Sequence, residues 1–128
     1  MQWRLIIAVF IGGAIGTYLR YLVSLLAPEQ NIYFATFFVN GTGSLVLGFI
    51  TGWYLIKSNH QWIKLGLGAG LCGGYTTMST FTAESVQLAG ASHSISILYV
   101  FISVAGGIIA AGLGALLGKG LAEKRMST

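Results

Sequence analysis

The sequence predicts an all-α membrane protein of four transmembrane helices with almost nothing outside them. Three observations carry that expectation. Hydrophobic residues make up 55% of the 128-residue chain and charged residues 8%, where a soluble domain carries roughly a quarter charged residues. The mean hydropathy is +0.78. Four segments each supply the roughly 20 residues a helix needs to cross about 30 Å of hydrocarbon, and none has the strand-type alternation that a barrel requires.

The first span runs from about Trp3 to Ala27, interrupted only by Arg20; the second lies between Glu29 and Lys57, the third between Lys64 and about Leu88, and the fourth between about Ser94 and Lys119. Residues 1–128 read as one domain. The first helix lacks a small-residue cleavage pattern and contains glycines and an arginine, so it is expected to be retained rather than removed as a signal peptide. Cys72 is the single cysteine and has no internal partner for a disulfide. The net charge of +4 comes from basic residues that flank helices. With no extramembrane domain to hold it, nucleic acid is not an expected partner. Four spans put both termini on one side. Arg4, Lys57, Lys64, Lys119, Lys124 and Arg125 gather there, against Arg20 on the other, so the termini are expected to be cytoplasmic.

Four helices do not easily enclose a polar route while shielding it from lipid. No convincing repeat relates the two halves of the chain, so an internally duplicated transporter is not expected. Small residues point to oligomerisation instead. Gly12 and Gly16 share a face of the first span; Gly41, Ser44, Gly48 and Gly52 follow on the second; Gly106, Ala110, Gly114 and Gly118 line the fourth. Such stripes let backbones approach closely where lipid removes the usual hydrophobic drive. Each stripe serves either packing within one subunit or an interface, and three of them lead us to expect at least one subunit interface.

The third span contains the oddest stretch, "LCGGYTTMSTF" from Leu71 to Phe81. Each helical glycine costs about 1 kcal/mol relative to alanine, and the pair falls near the midpoint of the span. One reading is an unwound turn at Gly73–Thr76, which survives at membrane depth only inside protein or beside water and frees carbonyls for a cation. The other is an unbroken helix whose glycines pack and whose hydroxyls bond back to the preceding turn. Beyond it, Thr76, Thr77, Ser79, Thr80 and Thr82 give a hydroxyl-rich surface, and Met78 and Phe81 share a face. Hydroxyl donors, a positive ring edge and a helix N-terminus together suit a small anion. Asn40 adds an amide, with Thr36 and Gly43 on its face, and Ser96, Tyr99 and Ser103 form a polar stripe on the fourth span. Each of these alone reads equally as an interhelical hydrogen bond; together they read as the lining of a narrow polar path. Arg20 either snorkels to the interface or lines a vestibule that concentrates anions. Glu84 is the one carboxylate within a span. His60 and His93 are too isolated to suggest a metal site.

"GGAIGTYLRY" (Gly12–Tyr21), "TFFVNGTGS" (Thr36–Ser44) and "GLCGGYTTMSTF" (Gly70–Phe81) resemble the three signatures of the CrcB/Fluc fluoride channel family. The third is the most specific, and the match covers the first three spans in register. The resemblance implies an antiparallel dimer of dual topology with two fluoride pores. It also implies a central structural Na⁺, not transported, held by backbone carbonyls that match Gly73 and Thr76. By the same resemblance Asn40 is the pore asparagine, Met78 and Phe81 stand at the two stacked phenylalanines, and Arg20 is the vestibule arginine. Ser79 and Thr80 fall on the polar track, and Tyr99 matches a pore tyrosine of the fourth helix. Met78 departs from the pattern, putting a flexible thioether where the family has a ring: either methionine suffices, or one pore face is impaired. The charge bias departs too. A chain inserting both ways should have balanced flanks, so its partner is either an identical copy or a related subunit of opposite orientation.

The function expected is passive, selective export of fluoride from the cytoplasm across the cell membrane, relieving fluoride toxicity. No nucleophile–base pair or phosphate loop marks an enzyme. A small proton-coupled drug exporter using Glu84 is the alternative; a non-transporting membrane assembly factor is a third, and it leaves the polar half of the third span unexplained.

Overall fold

The computed structural model describes residues 2–28, 31–56 and 60–126; Glu29 and Lys57, which bound the second span above, lie outside them. Helix α1 is Gln2–Leu26 and α2 is Ile32–Ile56. Helix α3 covers residues 61–75, opening with an α segment, Gln61–Leu65, widening to a π-helix over Gly66–Cys72 and closing with the α turn Gly73–Tyr75. Helix α4 is Met78–Ala91 and α5 is His93–Lys124. No strand forms among the described residues. Among the described residues three helices, α1, α2 and α5, are long and apolar enough to cross a membrane. Neither α3 nor α4 reaches the ~20 residues that a crossing needs.

The ends of the helices follow from local chemistry. Helix α1 stops just before Pro28, whose ring disfavours helical geometry in the residue before it, and the Asn31 N–H turns back to the Pro28 carbonyl at 2.8 Å. His60 enters α3 from a left-handed conformation, φ 70°, uncommon for a residue with a Cβ. Ser92, extended, separates α4 from α5, and its N–H closes onto the Leu88 carbonyl at 2.7 Å.

The helices associate as two intimate pairs, α1 with α3 and α2 with α5. Glycine makes both pairs possible. A Cβ at Gly48 or Gly52 would overlap the Ala111 or Ala115 carbonyl, and one at Gly114 or Gly118 the Leu45 or Phe49 carbonyl. In the other pair, a Cβ at Gly12, Gly16 or Gly74 would strike the Gly66, Leu71 or Gly13 carbonyl. At these positions the three small-residue stripes are occupied within the chain, whereas a Cβ at Gly41 would meet nothing within 4 Å. Their contacts offset the helical cost of glycine. Outward, Phe10, Leu26, Ile97 and Leu116 are exposed with many other apolar side chains, a surface suited to lipid and unlike that of a soluble monomer.

Between Tyr75 and Met78 the helical geometry stops. Thr76 (φ −73°, ψ 159°) and Thr77 (φ −141°, ψ 119°) are extended. The irregular residues are thus the threonines and not the glycines before them: Gly73 is helical at φ −65°, ψ −36°, and Gly74 is pressed against α1. β-Branched residues take extended backbone readily. The interruption also changes the chain's neighbours: α3 lies on α1, whereas α4 lies on α5 and α2.

Candidate functional site

Two extended residues among helices leave backbone groups that need partners, and α2 supplies one. The Thr77 N–H donates to Asn40 Oδ1 at 2.8 Å, and Asn40 Nδ2 donates to the Thr77 carbonyl at 3.0 Å. The Thr77 hydroxyl then caps α4, accepting from the Thr80 N–H at 3.2 Å and donating to Thr80 Oγ1 at 2.9 Å. These bonds have a consequence for two carbonyls. In a continuous helix the Thr77 N–H would serve Gly73 and the Thr80 N–H would serve Thr76. Both donors are engaged elsewhere, so the Gly73 and Thr76 carbonyls are released from the helical ladder.

Two pockets flank this point. One is a groove of about 430 Å³ lined by Asn40, Thr77, Met78, Phe81, Ser44 and Ser103, among others. Phe81 is buried, and its ring lies 5.5 Å from that of Tyr99, which in turn meets Tyr33 edge-on at 5.9 Å. Met78 is exposed at the groove. The other pocket, about 280 Å³, holds Arg20 with Thr17, Ser24, Thr36, Thr77 and Thr80. Thr77 lines both, so the interruption is the wall between them.

Of the residues singled out in the sequence, Asn40, Met78, Phe81 and Thr76 share the groove, while Arg20 and Thr80 share the second pocket. Ser79 lines neither; its hydroxyl lies 3.3 Å from that of Thr77. Tyr99 lines neither as well. Its hydroxyl donates to Glu84 Oε2 at 2.6 Å, and Thr36 donates to Oε1 at 2.7 Å. Glu84 is buried, so each carboxylate oxygen takes a hydroxyl donor, as a buried charge or acid requires. Ser96, beside them, donates to the Ser85 carbonyl at 2.7 Å. Thr77 carries more of the site than its place in a hydroxyl-rich run suggested, and Thr17 of α1 lines the second pocket though the sequence reading gave it no role there. A threonine directly before a helix start is the available signal for the first.

The geometry is that of a polar seam between interrupted and continuous helices, and sequence comparison bears on what such a seam belongs to. The family model described as CrcB-like protein, Camphor Resistance (CrcB), matches residues 7–115. The chain belongs to the CrcB-like family. Among relatives of this CrcB-like chain, the "Fluoride-specific ion channel FluC 2" of Bacillus licheniformis is 46% identical over 113 residues, covering 88% of this chain and 86% of the relative. The protein of the same name from Halalkalibacterium halodurans is 45% identical over 120 residues, covering 94% and 90%. That of Bacillus subtilis is 44% identical over 115 residues, covering 90% and 88%. The CrcB-like chain is thus a multi-pass membrane protein of an ion-channel family and not an enzyme.

Proposed function

We propose that the chain conducts fluoride passively out of the cytoplasm, through a channel completed by a second, antiparallel subunit in the cell membrane. The observation that carries this reading is the Asn40–Thr77 seam, a donor-bearing wall between two polar pockets. Arg20 raises anion concentration in its pocket, and the Thr17 and Thr80 hydroxyls line the approach. At the seam, the N-terminal end of α4 lends positive potential. Asn40 uses one amide proton on Thr77 and has a second to offer. The Phe81 edge adds a weak, dry donor surface. A small anion that exchanges hydration for these groups passes without any side chain changing its proton count.

Helices α3 and α4 together are read as the remaining crossing, interrupted at its middle, and the open side of the groove as the face a partner closes. Met78 at the groove and Gly73, three residues before the extended Thr76, are exposed, and a Cβ on Gly73 would meet nothing within 4 Å. The Gly73 and Thr76 carbonyls, freed from the ladder, fit a structural Na⁺. Bound there, the cation would supply fixed positive charge at the junction of two subunits. Arg125 packs over the Trp53 ring at 6.0 Å, so the basic end of α5 meets the end of α2. The basic residues gathered on the side of the termini, against Arg20 alone on the other, leave the partner as either an identical copy or a related subunit of opposite orientation.

The exporter reading needs Glu84 to exchange protons in a translocation path. Its two hydroxyl partners and its place outside both pockets favour the channel. The test is halide efflux from liposomes containing this polypeptide alone, with fluoride compared to chloride. Fluoride release far faster than chloride is expected. Equal release of both, or none of either, would refute the reading for this chain acting by itself.

A further inference from the structure

The glycine contacts fix which helix ends share a side of the membrane. Gly12 lies against Gly66 and Gly16 against Leu71, so α3 runs in the same direction as α1. Gly48 lies against Ala111 and Gly52 against Ala115, so α5 runs in the same direction as α2. Residues 57–60, which join α2 to α3, span at most about 14 Å and do not recross about 30 Å of hydrocarbon. The starts of α1 and α3 and the ends of α2 and α5 therefore form one end of the molecule.

Two kinds of side chain gather there. Arg4, Lys64, Lys119, Lys124 and Arg125 are all of the described lysines and arginines except Arg20. Among the described residues at this end the only carboxylate side chain is that of Glu123, 3.9 Å from Lys119 in an exposed pair of a kind that contributes little. All three tryptophans of the chain, Trp3, Trp53 and Trp62, lie at the same end. The two arginines are seated on two of these rings, Arg4 over Trp3 at 5.5 Å and Arg125 over Trp53 at 6.0 Å. A guanidinium over an indole is attracted by the ring face and keeps N–H donors for a phosphate oxygen. Indole favours the boundary between hydrocarbon and headgroups, so each pair sets a cation near the phosphates. The opposite end has no tryptophan, and its one described cation, Arg20, belongs to the pocket of Thr17 and Thr80.

We propose that this end is a binding surface for anionic phospholipid headgroups, held by Arg4 and Arg125 on their indole platforms with Lys64, Lys119 and Lys124 around them. It lies on the side expected to be cytoplasmic, where the membrane surface is negative. Each basic residue near such a surface strengthens attraction about fivefold. A zwitterionic headgroup brings its own ammonium, which the same cations repel, so the surface discriminates by net charge. Lipid rather than soluble phosphate is the occupant, because the tryptophans hold the cations against the hydrocarbon edge.

The same tryptophans provide the readout. The full-length wild type is reconstituted in phosphatidylcholine vesicles in which a set fraction of lipid carries brominated acyl chains, either as phosphatidylglycerol or as phosphatidylcholine. Quenching of tryptophan fluorescence is then compared. At about 0.01 M salt, where the screening length is about 30 Å, phosphatidylglycerol is expected to quench as if enriched several-fold at the protein; at about 1 M, where it is about 3 Å, the two lipids should converge. Arg4→Gln combined with Arg125→Gln should lower the enrichment about twofold or more. Should that variant not insert, Lys64→Gln with Lys119→Gln, which leaves both ring contacts in place, must show a loss in the same direction. Inorganic phosphate added at constant ionic strength should leave the quenching unchanged; competition by it would overturn the assignment to lipid. Equal quenching by the two lipids in the wild type at low salt would overturn the proposal, as would an enrichment unchanged in either variant. The measurement contains no fluoride, so the channel reading stands or falls separately.

Discussion

Asn40 and Thr77 form the hydrogen-bond pair that a neighbouring strand would otherwise supply, N–H to Oδ1 at 2.8 Å and Nδ2 to carbonyl at 3.0 Å. A single side chain thereby satisfies both polar groups of an extended residue that lies among helices. Asn40→Ala leaves that N–H and carbonyl unpaired, and each buried unpaired group costs about 1–3 kcal/mol. Fluoride efflux should fall more than tenfold while gel filtration still shows the assembled protein. Wild-type flux in this variant would remove Asn40 from the path.

Phe81 makes a different contribution, since its ring packs on Tyr99 at 5.5 Å. Phe81→Ile keeps apolar volume but loses the ring edge and an aromatic pair worth about 0.5–1.5 kcal/mol. We expect suppressed fluoride efflux without dispersal of the proposed dimer. Melting in detergent should shift only slightly. Unchanged flux would show that the ring has a packing role alone.

Glu84 separates the channel from the carrier. Glu84→Gln retains one acceptor oxygen, and either Thr36 or Tyr99 can reverse its hydroxyl to accept from the new amide. Fluoride efflux should stay within about threefold of wild type, less than the tenfold that 1.4 kcal/mol represents. Abolished transport, together with proton-coupled uptake of a cationic drug by the wild type, would restore the exporter.

Two glycine substitutions distinguish folding of the chain from assembly. A side chain at Gly48 overlaps the Ala111 backbone, whereas one at Gly73 meets nothing within 4 Å. Gly48→Val should destabilise the chain itself by at least the 1–3 kcal/mol typical of overpacking and lower its yield. Gly73→Val should leave the chain folded and dissociate the proposed dimer, more so than Asn40→Ala does. Cross-linking in membranes reads the difference. A fully cross-linked, conducting Gly73→Val protein would place the partner's contact elsewhere.

Arg20 shares its pocket with Thr17 and Thr80, and its effect should be electrostatic. Arg20→Gln is expected to reduce fluoride flux several-fold at low ionic strength and much less near 1 M salt, where the screening length falls to about 3 Å. An effect independent of salt would favour a structural role for the guanidinium.

Much of the fold was legible because span length and composition alone dictate it: a first helix expected from Trp3 to Ala27 is found at Gln2–Leu26. The stripes were legible as places of close approach, but their partners were not, since Gly48 meets Ala111 and Gly16 meets Leu71 only through the tertiary arrangement. The Gly73–Gly74 pair drew attention to the right stretch and misplaced the irregular residues. Gly74 serves proximity to α1, and what pairs with the extended Thr77 is Asn40, distant in sequence. The same blindness hid the pairing of Glu84 with Thr36 and Tyr99, which no local pattern encodes.

The glycine contacts join main chain to main chain, and atoms without rotatable bonds are what touch. Such walls have little compliance, because there are few torsions whose breathing would widen the space between them. The two helix pairs are thus stiff frames, and whatever adjustment the groove makes is left to the side chains that line it, Phe81 and Met78 among them.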